Sequence, residues 1–337
     1  METKLISIDD EDSEKLSIAA NLLKSGHLVA FPTETVYGLG ANGLDSEAVA
    51  KIYQAKGRAL SNPLSLLLAD VKQMDMVVTD IGDKVRKLID AFCPGPITFV
   101  LRRKNIVPNI VTNGMDTVGV RIPDNAIARK LIRLVGMPIA APSANTSGRP
   151  SPTSAKAVFD DLQGKISAVV DGGNCAVGID STIVDCSQEV LTVLRPGVVT
   201  LEMLRQVVGA GSVRMKEDVV EHDHYAPQAP MFILEGNAVQ LMEAMQGYIA
   251  KAAKAQKRVG IIASDELSAK IPGDAVVYAY GKRTDTKAIA GNLYQALRFF
   301  DDHPVDVIYA EGIDKGGIGL AIMNRMYKAS GYRIIAL

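Results

Sequence analysis

The stretch SVRMKEDVVEHDHYAPQAP, residues 212–230, is charged, contains Pro227 and Pro230, and shows no apolar period. The chain on either side is different. Short apolar runs alternate there with stretches whose apolar residues recur every three or four positions. One core cannot run through an aperiodic polar segment, so this break implies two α/β domains and a linker. The length of 337 residues agrees, at roughly 150 residues per domain. The expected boundaries are 1–211 for the first domain, 212–230 for the linker and 231–337 for the second domain.

Before the break, SEKLSIAANLLKSG reads as an amphipathic helix: Leu16, Ala19, Ala20, Leu22 and Leu23 form its apolar stripe and Gly26 ends it. DSEAVAKIYQAKG reads as a second, with Asp45 or Ser46 as N-cap and Glu47 in the first turn. Further helices are expected near 82–92, 125–135, 153–162 and 200–208. Between them lie apolar runs read as strands at 28–31, 64–69, 97–102, 117–122, 138–141, 167–171, 181–186 and 191–195. The pattern predicts an α/β domain with a mixed sheet. After the break come MFIL, a helix over 237–255, RVGIIA, AVVYAY, a helix over 285–301, VDVIYA and GIGLAIMNRMYKAS, which predict a small Rossmann-like parallel sheet.

Net charge is −1, without the basic excess of a protein that grips long nucleic acid, though a nucleotide needs only a local basic pocket. Cys93, Cys175 and Cys186 lie far apart with no C-x-x-C, which argues for buried thiols in a reducing compartment. None has a nearby histidine to suggest an activated nucleophile. The acidic start METKLISIDDEDSEKL has no apolar h-region, and no apolar run approaches the ~20 residues of a membrane helix, so a cytoplasmic protein is expected.

GLGANG (38–43) fits G-x-G-x-x-G, but the preceding strand ends at Phe31, seven residues before the first glycine. The tight strand–glycine–helix turn of a dinucleotide site is therefore absent, and close backbone approach is the better reading. His222 and His224 form an H-x-H without companion ligands, so a solvated linker is the better reading there, and no metal site is expected. The stretch KGRALSNPLS (56–65) differs in kind. Lys56 suits a last helical turn with Gly57 just beyond it, but Arg58 has no such explanation. Extended chain carries two residues over ~6.6 Å with both side chains on one face, so the pair suits a polyphosphate. APSANTSGRPSPT (141–153) and DGGNCAVGIDSTIVD (171–185) bring serines and threonines to the ends of apolar runs, and Arg121 and Arg195 lie at or near strand ends, where open α/β sheets place ligands.

Taken together, FPTETVYGLGA, KGRALSNPL, CPGPIT, DTVGVRIP, APSANTSGRPSPT, GIDSTIVD and LRPG, in this order and spacing, closely resemble the YrdC-like family of threonylcarbamoyl-AMP synthases. HYAP and the terminal MNRMYKASGYRII resemble the long form with an added C-terminal domain. The resemblance implies a YrdC-like α/β domain with a twisted mixed sheet, followed by the Rossmann-like domain. It implies a nucleotidyltransferase that makes threonylcarbamoyl-AMP and pyrophosphate from L-threonine, bicarbonate or CO2, and ATP. Magnesium would travel with ATP, and a transferase complex would pass the product to position 37 of tRNA. Lys56 and Arg58 would be catalytic and, with Asn62, face the phosphates. Thr117, Ser143, Ser151, Arg195 and Tyr225 would also bind the nucleotide. Thr35, Arg121, the Ala141 backbone and Ser181 would bind threonine. Two positions depart from the family pattern: Leu67 replaces a histidine and Asp180 a glutamate. An RNA-binding module and a carbamoyltransferase-type protein of the same fold are the alternatives.

Overall fold

The computed structural model describes residues 2–8, 13–216 and 225–337, so His222 and His224 lie outside the described residues. The chain forms two units, residues 1–147 with 151–217, and residues 148–150 with 218–337.

The strands of the first unit are β1 (Lys4–Ser7), β2 (Val29–Phe31), β3 (Gly38–Asn42), β4 (Ser65–Leu67), β5 (Ile97–Arg102), β6 (Thr117–Arg121), β7 (Ile139–Ala140), β8 (Ala168–Asp171), β9 (Thr182–Asp185), β10 (Leu191–Arg195) and β11 (Val213–Met215). They make one mixed sheet in the order β1-β8-β2-β3-β7-β4-β6-β5-β9-β10-β11. Apolar residues occupy both faces because helices cover both. Ala30 and Leu66 enter one core, and their neighbours Val29, Phe31 and Leu67 enter the other, as the two-residue strand period requires.

The helix Ser46–Lys56 forms as its signals require: the Asp45 carboxylate accepts from the Glu47 and Ala48 N–H groups, and Gly57 closes it at φ 62°. The strand β3 was not expected from GLGAN, since glycine is a poor strand former. It forms because close approach demands glycine: a Cβ on Gly40 would lie 2.7 Å from the Phe31 ring, and one on Gly43 would lie 2.5 Å from Leu66. β1 and β11 were also not expected, being short edge strands that rely on parallel partners β8 and β10.

The second unit has β12 (Met231–Glu235), β13 (Val259–Ala263), β14 (Val276–Ala279), β15 (Val307–Glu311) and β16 (Ile334–Ala336), in the order β14-β13-β15-β12-β16. All of its pairings are parallel, as the alternating pattern predicts. Helices Ala238–Lys254 and Thr286–Asp302 connect strands, the first closed by a capping box between Asn237 and Gln240. Gly148–Pro150 pack within this unit, where Arg149 pairs with Asp301 at 2.5 Å.

Candidate active site

The segment Pro32–Tyr37, between β2 and β3, organises the first unit's polar residues through its backbone. The Tyr37 N–H donates to Pro152 O and the Ala144 N–H to Tyr37 O, at 2.9 and 2.8 Å. On its other side, the Val177 N–H donates to Glu34 O and the Gly178 N–H to Thr35 O, at 2.7 and 3.1 Å. One short segment thereby ties the two hydroxyl-rich loops together.

Within it, Thr35 is fully buried and its hydroxyl lies 3.0 Å from that of Thr33. Glu34 turns to Arg121, the last residue of β6, with Oε1 2.8 Å from Nη2. Both side chains are only 8% exposed. Neither carboxylate oxygen of Glu34, nor Nε or Nη2 of Arg121, makes an aligned hydrogen bond. Buried polar groups normally do, so this is a site with open valences. Leu67 is the register partner of Arg121 across β4 and β6, so an apolar side chain stands next to Arg121 in the sheet.

At the neighbouring strand starts, the Ser181 hydroxyl lies 2.8 Å from that of Thr98. Arg195, ending β10, donates from Nε and Nη2 to Ser181 O at 3.0 and 2.9 Å, and from Nη2 to Ser181 Oγ at 3.2 Å. Residues expected at threonine and at the nucleotide therefore touch one another. Ser151 is buried and donates to Asp180 Oδ1 at 3.4 Å. The Ala141 N–H donates to Ser65 O at 3.0 Å, so a substrate contact from this residue's backbone falls to its carbonyl.

The expectation for the lysine–arginine doublet needs correction. Gly57 is left-handed, so Lys56 and Arg58 do not share one extended face. Lys56 is 1% exposed, and its ammonium donates to Ser143 O and, at 2.5 Å, to Asn145 O. Arg58 is half-exposed and donates to Asn62 O at 3.4 Å and to Pro63 O at 3.2 Å. Lysine thus secures the serine-rich loop while arginine faces outward beside Asn62. Thr117 lies on the same face of β6 as Arg121 but at the other end, about 13 Å away at the strand rise. Tyr225 belongs to the second unit and stacks on Tyr294 with ring centroids 5.3 Å apart.

Sequence reasoning named Thr35 and passed over its neighbour Glu34. The available signal was a lone carboxylate in a segment otherwise made of hydroxyl and apolar residues. Thr98 was missed for a simpler reason: a threonine inside a strand has no distinctive spacing.

Burial pushes the Cys93 and Cys175 thiols up to about 12, and that of Cys186 higher still. None is a thiolate near neutrality, which removes cysteine nucleophilic catalysis at these positions. Because these acids ionise more readily unfolded than folded, their contribution to stability is present below about pH 9 and declines as pH rises toward 12. Native protein at pH 8 is expected to leave Ellman's reagent almost unreacted until denaturant is added. Prompt colour from the folded chain would contradict the assigned burial. Among the described residues, no group of three or more histidine, cysteine, aspartate or glutamate side chains converges to hold a metal. Among the described residues, no helix is long and apolar enough to cross a membrane.

Buried guanidinium N–H groups without aligned acceptors, set among hydroxyls and with the nearby thiols held protonated, suit an anionic ligand better than a cysteine nucleophile. The chain belongs to the Sua5, YciO and YrdC family. The family model described as telomere recombination matches residues 21–197, and that of the threonylcarbamoyl-AMP synthase C-terminal domain matches residues 199–331. The threonylcarbamoyl-AMP synthase of Pyrococcus abyssi is 44% identical over 99% of both chains. That of Bacillus subtilis is 41% identical over 99% of this chain and 100% of its own. The crystal structure of Pyrococcus abyssi Sua5 complexed with L-threonine superposes with a TM-score of 0.93, at 42% identity, covering 99% of this chain and 100% of that one.

Proposed function

We infer that this chain is a threonylcarbamoyl-AMP synthase, joining L-threonine, bicarbonate or CO2, and ATP with release of pyrophosphate. The observation that carries the reading is likeness along the full chain, across both units, to proteins of that name. The site's chemistry supports it. Carboxylated threonine is a carbamate anion, so its attack on the α-phosphorus needs no strong base. The barrier is the approach of one anion to another, and positioned positive charge lowers it.

In this reading Arg121 and Ser181 hold the threonine carboxylate end, with Thr35 and the Ala141 carbonyl beside them. Lys56, Arg58 and Asn62 face the phosphates. Thr117, Ser143, Ser151, Arg195 and Tyr225 contact the rest of the nucleotide. Magnesium would arrive on the phosphates, because a hard cation is well served by phosphate oxygens and water without a protein cage. A cytoplasmic setting, and a transferase that takes the product to tRNA, complete the proposal.

Purified full-length chain is expected to release pyrophosphate from ATP only when L-threonine and bicarbonate are both present. Release indifferent to threonine, or driven instead by carbamoyl phosphate, would refute the reading.

A further inference from the structure

The buried Glu34–Arg121 pair is unfinished on both sides. Arg121 keeps Nε–H and Nη2–H without aligned acceptors, and Glu34 keeps both oxygens without aligned donors. Burying charge in this state is costly, and apolar replacements would often fold as well or better. The chemistry that completes such a pair must bring an acceptor and a donor together. A simple carboxylate would satisfy Arg121 but meet repulsion from Glu34, and a simple amine would do the reverse. An α-amino acid carries both groups on one carbon, with opposite charges.

We propose that Glu34 is the receptor for the α-ammonium of the amino-acid substrate, paired with Arg121 for its carboxylate, so that the two residues together select a zwitterion. The inference rests on the reading above for the identity of that substrate. It gives Glu34 a second effect on the same atom. When the nitrogen releases two protons to solvent and bonds to the carbon of CO2, it keeps one N–H, which continues to donate to Glu34. That single bond fixes which way the new carboxylate faces. The backbone holds the receptor in place at Glu34 and at the residue after it, through Val177 N–H on Glu34 O and Gly178 N–H on Thr35 O.

The test is isothermal titration of the full-length chain with L-threonine and with 2,3-dihydroxybutanoate, which has a hydroxyl in place of the amine. Wild-type protein is expected to prefer L-threonine by about 10–100-fold, the scale of one hydrogen bond to a charged group. Glu34→Gln, which keeps the shape and loses the charge, is expected to weaken L-threonine by a similar factor and leave the hydroxy acid within about threefold. Equal L-threonine affinity in Glu34→Gln and wild type would overturn the proposal. So would an equal loss for both ligands, since Glu34 would then act only by holding Arg121. If Glu34→Gln fails to fold, wild-type protein alone decides, because equal affinity for the two ligands removes the ammonium receptor. If wild type binds a different α-amino acid with the same dependence on Glu34, the receptor stands and the choice of threonine falls. Wild type that binds no α-amino acid overturns the receptor, whatever the pyrophosphate assay shows.

Discussion

Lys56→Met is expected to lose stability and turnover together, and to separate from Arg58→Ala, which should lose turnover alone. The lysine ammonium is buried and donates to the carbonyls of Ser143 and Asn145, joining the end of the helix Ser46–Lys56 to the serine-rich loop. Methionine fills much of the same volume and supplies no donor. A buried carbonyl and a partly buried one then lose a charged partner, at a cost of about 3–5 kcal/mol. Arg58 is half-exposed and donates to Asn62 O and Pro63 O, so its removal should leave stability within about 1 kcal/mol. For turnover, each variant gives up one cation proposed at the phosphates, and a loss of about 10²–10³-fold is expected for each. Denaturant melts and pyrophosphate release measured on the same preparations check this. A stable, inactive Lys56→Met would deny the lysine its structural role, and an active Arg58→Ala would remove the arginine from the chemistry.

The contrast between these two residues also marks where sequence legibility ends. The presence of Arg58 in a loop without a folding reason was readable, and so was the helix that ends at Lys56, because Asp45, Lys56 and Gly57 each carry a local signal. What was hidden depends on a single backbone angle. Gly57 at φ 62° turns the chain, so that the lysine goes inward to carbonyls 87 and 89 residues away and the arginine goes outward. No spacing rule encodes contacts at that separation. The same holds for the fold. β2 and β4 announce themselves by apolar runs, and the parallel sheet of the second unit by alternation with long helices. β3 does not, because Gly40 within it and Gly43 just after it answer to the space left by Phe31 and Leu66, which only the assembled sheet defines. Glu34 was overlooked for a related reason. A carboxylate beside two threonines looks like loop chemistry until β6 brings Arg121 to it.

That pairing sets the second large effect. Arg121→Leu should cost about 3–5 kcal/mol, because it leaves the Glu34 carboxylate buried without its partner. Glu34→Leu combined with Arg121→Leu should recover most of this loss, since apolar side chains of similar volume often replace a buried ion pair without penalty. The single variant is therefore expected to melt well below wild type and the double variant near it. Neither should bind L-threonine, since both lack the guanidinium proposed to take its carboxylate. A single variant as stable as wild type would mean that Glu34 finds another charge partner on relaxation. A double variant that recovers stability and still binds L-threonine would move the amino-acid site away from β6. Recovery of folding without recovery of binding would show that the pair is retained at the expense of stability, because its unfinished hydrogen bonds are what the substrate completes.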